Sequence, residues 1–209
     1  MRKITFVIIL FLLSAAAYSQ ETATLSGGVA VANAIDYSSD YGVNYNNQDA
    51  TGFRITGTYE IGPLKPKKFI HGFSIGYILV DAPITTLYAT GDLTVRTIPI
   101  YYAPKFMLGG EKAMVFVRAA IGAQFCRLKF DGDPDGSDHD FGFYGGFGGG
   151  GMLYVSEKLF LNLEYEWAYM SNTFYANGMI NSVQLGIGYD FWFDNHSLVI
   201  KNGGVRITD

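Results

Sequence analysis

The feature that most constrains this chain is a period of two in its hydrophobic residues, repeated in one segment after another. In Asn181–Phe193 (NSVQLGIGYDFWF), Val183, Leu185, Ile187, Tyr189, Phe191 and Phe193 share one side of an extended backbone. Gln184, Gly186, Gly188, Asp190 and Trp192 share the other. Thr51–Ile61 sets Phe53, Ile55, Tyr59 and Ile61 against Arg54, Thr56, Thr58 and Glu60. Phe69–Val80 sets Phe73, Ile75, Tyr77 and Leu79 against Gly72, Ser74 and Gly76. Ala113–Cys126 opposes Val115, Val117, Ile121 and Phe125 to Arg118, Ala120, Gly122 and Gln124. Leu159–Met170 opposes Leu161, Leu163, Tyr165, Trp167 and Tyr169 to Asn162, Glu164 and Glu166. One small core cannot hide this many greasy strand faces.

Thr24–Ala34, Leu93–Phe106 and the glycine-rich Phe141–Tyr154 bring the strand candidates to eight. Leu93–Phe106 has no settled facing. Ile98, Ile100 and Tyr102 share a side with Arg96, and Pro99 and Pro104 count against an interior pairing strand. The connections alternate between long and short. The long ones at 35–50, 81–92 and 127–140 carry ten acids against two bases, while the short turn GPLKPKK at 62–68 carries lysines. The two ends of the structure therefore differ in chemistry.

The first 19 residues read as a secretory signal: Arg2 and Lys3, then an apolar run over Ile4–Ala17, then small residues before a cut after Ser19. Removing them takes the net charge from -4 to -6, which argues against nucleic acid as a partner. Cys126 is the only cysteine, so no disulfide forms within the chain. No later stretch approaches the roughly 18 unbroken apolar residues of a spanning helix.

Backbone donors and acceptors cannot be left bare in hydrocarbon, and among sheets only a closed barrel satisfies them all. The sequence thus predicts an all-β fold, an eight-stranded antiparallel up-and-down transmembrane β-barrel over residues 20–194. Its large residues face lipid, and Gly, Ser, Thr and charged residues fill the lumen. An interior that narrow is filled by side chains and leaves no wide pore. Enclosed charges must pair, which predicts a lumen network of Arg54, Glu60, Arg118, Glu164 and Glu166, with the two arginines against Glu164 and Glu166. Trp167 and Tyr169, and Tyr189, Phe191 and Phe193, are placed for aromatic belts at the two interfaces.

On strand count, loop alternation and the aromatic-ended GIGYDFWF, the chain resembles the small eight-stranded outer-membrane barrels of Gram-negative bacteria, the OmpX and OmpA-barrel type. The resemblance implies the cell outer membrane, contact with its lipid and lipopolysaccharide, delivery by the barrel-insertion machinery, and a monomer. It also implies a structural, adhesion or surface-interaction role. One departure is the tail 195–209 after Phe193, which reads as a short hairpin turning at Asn202-Gly203.

Candidate chemistry is sparse, and no catalytic residue or organic cofactor is assigned. Asp131, Asp133 and Asp135 begin a D-x-D-x-D-G run that suits Ca²⁺, but the twelfth position is Gly142 where a bidentate Glu belongs. A solvated acidic turn is the plainer reading. Ser137, Asp138 and His139 raise the alternative of an outer-membrane lipid-modifying enzyme, although triads are defined by geometry and not by adjacency. The glycines at 145, 146 and 148–151 lack the following Lys-Ser/Thr of a phosphate loop and suit close backbone packing. The remaining alternative, a secreted lipocalin-like barrel holding a hydrophobic ligand, needs the faces reversed, with Arg54, Arg118 and Glu164 outside.

Overall fold

The computed structural model describes residues 19–38, 44–63, 69–85, 90–110, 112–132, 136–171, 175–191, 199–201 and 204–206. The signal segment, Trp192, Phe193 and His196 lie outside the described residues. The strands are β1 (Ser19–Ser38), β2 (Asn44–Pro63), β3 (Phe69–Thr85), β4 (Thr90–Tyr102), β5 (Lys105–Gly109), β6 (Ala113–Gly132), β7 (Gly136–Tyr154), β8 (Leu159–Met170) and β9 (Tyr175–Phe191). A separate two-stranded hairpin pairs β10 (Val199–Lys201) with β11 (Gly204–Arg206).

Each strand pairs antiparallel with its sequence neighbour, and β1 pairs with both β2 and β9, which closes the sheet. β4 and β5 are two pieces of one stave. Both lie between β3 and β6, and the pairings Phe73↔Tyr102 and Phe69↔Phe106 keep one register across the break. The result is a closed eight-stranded antiparallel barrel. Among the described residues no helix is long and apolar enough to cross a membrane; strands do the crossing.

The prolines interrupt this stave without displacing it. Pro104 cannot donate, but Ala103 N–H still reaches Gly72 O at 2.8 Å and Pro104 O still accepts from Ala119 N–H at 3.1 Å. Pro99 is accommodated because Gly76 faces it: a Cβ at position 76 would sit 3.0 Å from Pro99 Cγ. The prolines do weaken the ladder, which skips the β3 rungs at Pro99 and breaks at Ala103-Pro104, yet the stave stays interior and paired on both sides. A glycine opposite one and intact neighbouring rungs around the other keep the wall closed.

The greasy faces point outward. Leu185 is 64% exposed, Phe147 67% and Val117 63%, while Arg54 and Glu166 are fully buried. Tyr169, Tyr189 and Phe191 are also on the outer surface. This is the arrangement that lipid requires and the reverse of a soluble ligand-carrying barrel.

The lumen differs from the sequence expectation at both ends. Small and charged residues share it with larger apolar ones. Toward the loop end, Ile78, Val80, Leu93, Val95, Leu128, Phe130, Met170 and Ile180 form an apolar plug. Toward the turn end, Ile70, Met107, Phe116, Met152 and Phe160 form a second one. The reason is strand length. β1, β2, β6 and β7 run to 19 or 20 residues, well past the roughly 9–11 that cross hydrocarbon at a tilt. Where a strand leaves the oil, its outer face meets water and its inner face must supply an ordinary core.

Candidate functional site

The middle of the lumen is a charge cluster assembled from five staves. β2 contributes Arg54 and Glu60, β5 Lys105, β6 Arg118, and β8 Glu164 and Glu166; β4 adds Tyr101 and β7 adds Tyr144. Arg54 is held at four points. Its Nη1 donates to Glu166 Oε1 at 2.7 Å and to Ser182 Oγ at 3.3 Å, its Nη2 to Tyr101 OH at 2.8 Å, and its Nε to Thr56 Oγ1 at 3.0 Å. Arg118 Nη2 lies 2.5 Å from Glu164 Oε1, donates to Tyr101 OH at 3.3 Å and pairs with Glu166. Tyr144 OH donates to Glu166 as well. Glu60 pairs with Lys105 and accepts from Thr22 Oγ1 at 3.0 Å.

Three cations and three carboxylates balance within this cluster. Balance matters because an isolated ion in so dry a space costs several kcal/mol. Nearby, Thr24, Ser26, Thr56, Thr58, Asn162 and Gln184 line a polar space with room for about one water. Among the described residues an apolar plug stands above this cluster and another below it.

The structure thus joins Arg54, Arg118, Glu164 and Glu166, and gives Glu60 a different partner, Lys105. Sequence reasoning missed Lys105, Tyr101 and Tyr144. The signal for the first two was their parity: Tyr101 and Lys105 share a side with Val95 and Thr97 on the one stave whose facing was unsettled.

The acidic run does not form a coordinating loop among the described residues. Asp131 is exposed, is the penultimate residue of β6, and holds Lys129 Nζ at 2.6 and 2.7 Å. Asp133 and Asp135 lie outside the described residues, and residues 136–142 belong to β7. Among the described residues no group of three or more His, Cys, Asp or Glu could hold a metal ion. Of the three candidate ligands only Asp131 is among the described residues.

Ser137, Asp138 and His139 are successive exposed residues of β7. Alternation puts Ser137 and His139 on one face and Asp138 on the other. Asp138 Oδ1 accepts from the backbone N–H of His139 at 2.7 Å, and among the described residues no hydrogen bond joins the three side chains. A nucleophile–base–orienter chain is not assembled.

The outer surface changes character along β4, β6 and β7. Ile98, Phe125 and Phe141 are opposed across the three strands and exposed. One step toward the loops the opposed residues are Arg96, Arg127 and His139; one further, Thr94, Lys129 and Ser137. The apolar band thus ends on a basic row.

No curated protein matches the sequence. Among solved structures, Neisserial surface protein A is 10% identical, with 82% of this chain and 97% of that one covered at a TM-score of 0.56. OprG from Pseudomonas aeruginosa is 14% identical over 83% and 97%, at 0.49. Ail, the attachment invasion locus protein of Yersinia pestis, in complex with sucrose octasulfate, is 14% identical over 82% and 99%, at 0.47. The model for the outer membrane protein beta-barrel domain matches residues 5–191, the stretch that holds every stave of the closed wall. With its greasy surface, enclosed ion pairs and closed eight-stave sheet, the chain belongs to that family of Gram-negative envelope barrels, and its location is the cell outer membrane.

Proposed function

We propose that this protein is a non-catalytic surface-interaction barrel, presenting a rigid β platform on the outside of the cell. The observation that carries this reading is the overshoot of the β1–β2 and β6–β7 hairpins beyond the apolar band. On β6 the outer face there turns polar, with Arg127, Lys129 and Asp131, and the inner face turns apolar, with Leu128 and Phe130. Both termini of the barrel lie at the turn end, since Ser19 pairs with Pro63 and Glu21 with Phe191. The platform is therefore the end turned away from the periplasm. The apolar plugs among the described residues do not suit transport, which assigns the work to this outer end. A monomer, delivered by the insertion machinery and embedded in lipid and lipopolysaccharide, suffices for it.

The test is surface attachment. Cells carrying the intact barrel are compared with cells carrying a variant in which residues 128–138 are replaced by a two-residue turn. Both must show heat-modifiable gel migration, the sign of a folded barrel. Attachment to matrix-coated or abiotic surfaces should drop at least several-fold in the variant. Equal attachment by two equally folded proteins would overturn the reading.

A further inference from the structure

We infer that the outer wall of the barrel carries a binding site for the phosphate of the outer-leaflet glycolipid, lipopolysaccharide, formed by Arg96 of β4 with Arg127, Lys129 and His139 of β6 and β7. The site follows from register, exposure and charge. Arg96 pairs with Arg127, and Arg127 with His139. All three side chains are exposed on the lipid-facing parity, one step beyond Ile98, Phe125 and Phe141. Opposed residues on neighbouring strands sit about 5 Å apart, so one phosphate can bridge two of these groups.

Two arginines directly opposite each other on a sheet repel and are destabilising when left alone. Among the described residues no ion pair joins either arginine to a carboxylate; within the patch Asp131 holds Lys129. Other acids are near but placed differently. Asp81 and Asp92 are exposed on the same outer parity, one and two steps nearer the loops, and Asp92 faces Asp131. Asp138 and Asp140 are on the opposite parity of β7. The order outward along the wall is therefore acyl-compatible surface, guanidinium row, then acids. That order matches a molecule whose phosphate sits immediately above its acyl chains. A free anion would have no need of the apolar band beneath, and arginine is the side chain suited to bidentate phosphate contacts. The inference rests on outer-membrane location and on which end faces outward, not on the attachment reading above.

The test uses the full barrel in phosphatidylcholine vesicles, titrated with fluorescent lipopolysaccharide. Losing two charge-assisted contacts in R96Q/R127Q should raise Kd roughly ten- to a hundredfold. K158Q, at a turn on the opposite end, should bind like wild type. Lipopolysaccharide stripped of its phosphates should bind the wild-type protein as weakly as the intact lipid binds the double variant. This second arm needs no variant to fold. Undiminished binding of the dephosphorylated lipid, undiminished binding by a folded R96Q/R127Q, or displacement of the lipid by low millimolar inorganic phosphate would each overturn the proposal.

Discussion

Arg118 and Glu166 face the lumen two strands apart in one register row, and the residue between them is Gly148. The guanidinium reaches its carboxylate by passing over a position that has no side chain. A Cβ placed on Gly148 would lie 3.3 Å from both Cγ and Nε of Arg118 and 3.0 Å from Tyr165 O. Gly150 does the same one pair lower, between Phe116 and Glu164; its Cβ would meet Phe116 Cζ at 2.8 Å. The glycine run is thus a channel for crossing side chains.

Gly148→Val should therefore break the Arg118–Glu166 pair as well as crowd the strand. The expected loss is roughly 3–5 kcal/mol, the cost of leaving a buried charge without its partner. Gly151 faces outward, where a Cβ meets only Met114 O at 3.8 Å; Gly151→Ala should change stability by less than about 1 kcal/mol. Urea unfolding in vesicles, followed by heat-modifiable migration, compares the two. Equal losses would show that the crossing is not what Gly148 protects.

Glu166 takes Arg54, Arg118 and Tyr144 together. Glu166→Gln should destabilise by about 3–5 kcal/mol, because two guanidinium groups remain in a dry space with one charge fewer. Burial shields the cluster from salt, so the deficit should be the same at low and high ionic strength. A loss that vanishes in high salt would mean the cluster is open to water.

On the outer surface, Val117→Lys near the middle of the apolar band should cost about 2–4 kcal/mol in a bilayer. Lys129→Ala, above the band and paired only with exposed Asp131, should cost less than about 1 kcal/mol. Folding yield and urea midpoint in the same vesicles measure both. Reversal of that order would misplace the membrane on the barrel.

Calcium should leave the β6–β7 tip unchanged. Asp131 already holds Lys129, and strand residues follow from Gly136. Limited proteolysis with and without millimolar Ca²⁺ should give the same fragments at the same rate; slower cleavage with Ca²⁺ would restore Asp131, Asp133 and Asp135 as a site.

The barrel and its lumen charges were legible because a period of two needs only local sequence. Arg54, Arg118, Glu164 and Glu166 could each be placed inside by parity alone. The Leu93–Phe106 stave was not, and the structure shows why. Leu93 and Val95 point inward above the band, while Ile98 and Ile100 point outward within it. Parity never changes; the surroundings do. β6 repeats this between Phe125, which faces out, and Leu128 and Phe130, which face in. Large residues therefore occur on both sides of one strand, and a rule that large means outward fails at the membrane's edge. Lys105 was lost with that stave, and with it the partner of Glu60. Calcium binding stayed beyond reach because metal-binding loops work through geometry that alternation does not encode.

The unbroken parity through Ala103-Pro104 limits how this gene can change length. Deleting one residue there would swing Lys105 into oil and Phe106 into the centre, and every later side chain on that stave would follow. Deleting two would only lower the remainder by one step while leaving each group in its own medium. Insertions and deletions within the staves should therefore survive in even numbers, with odd ones confined to the loops.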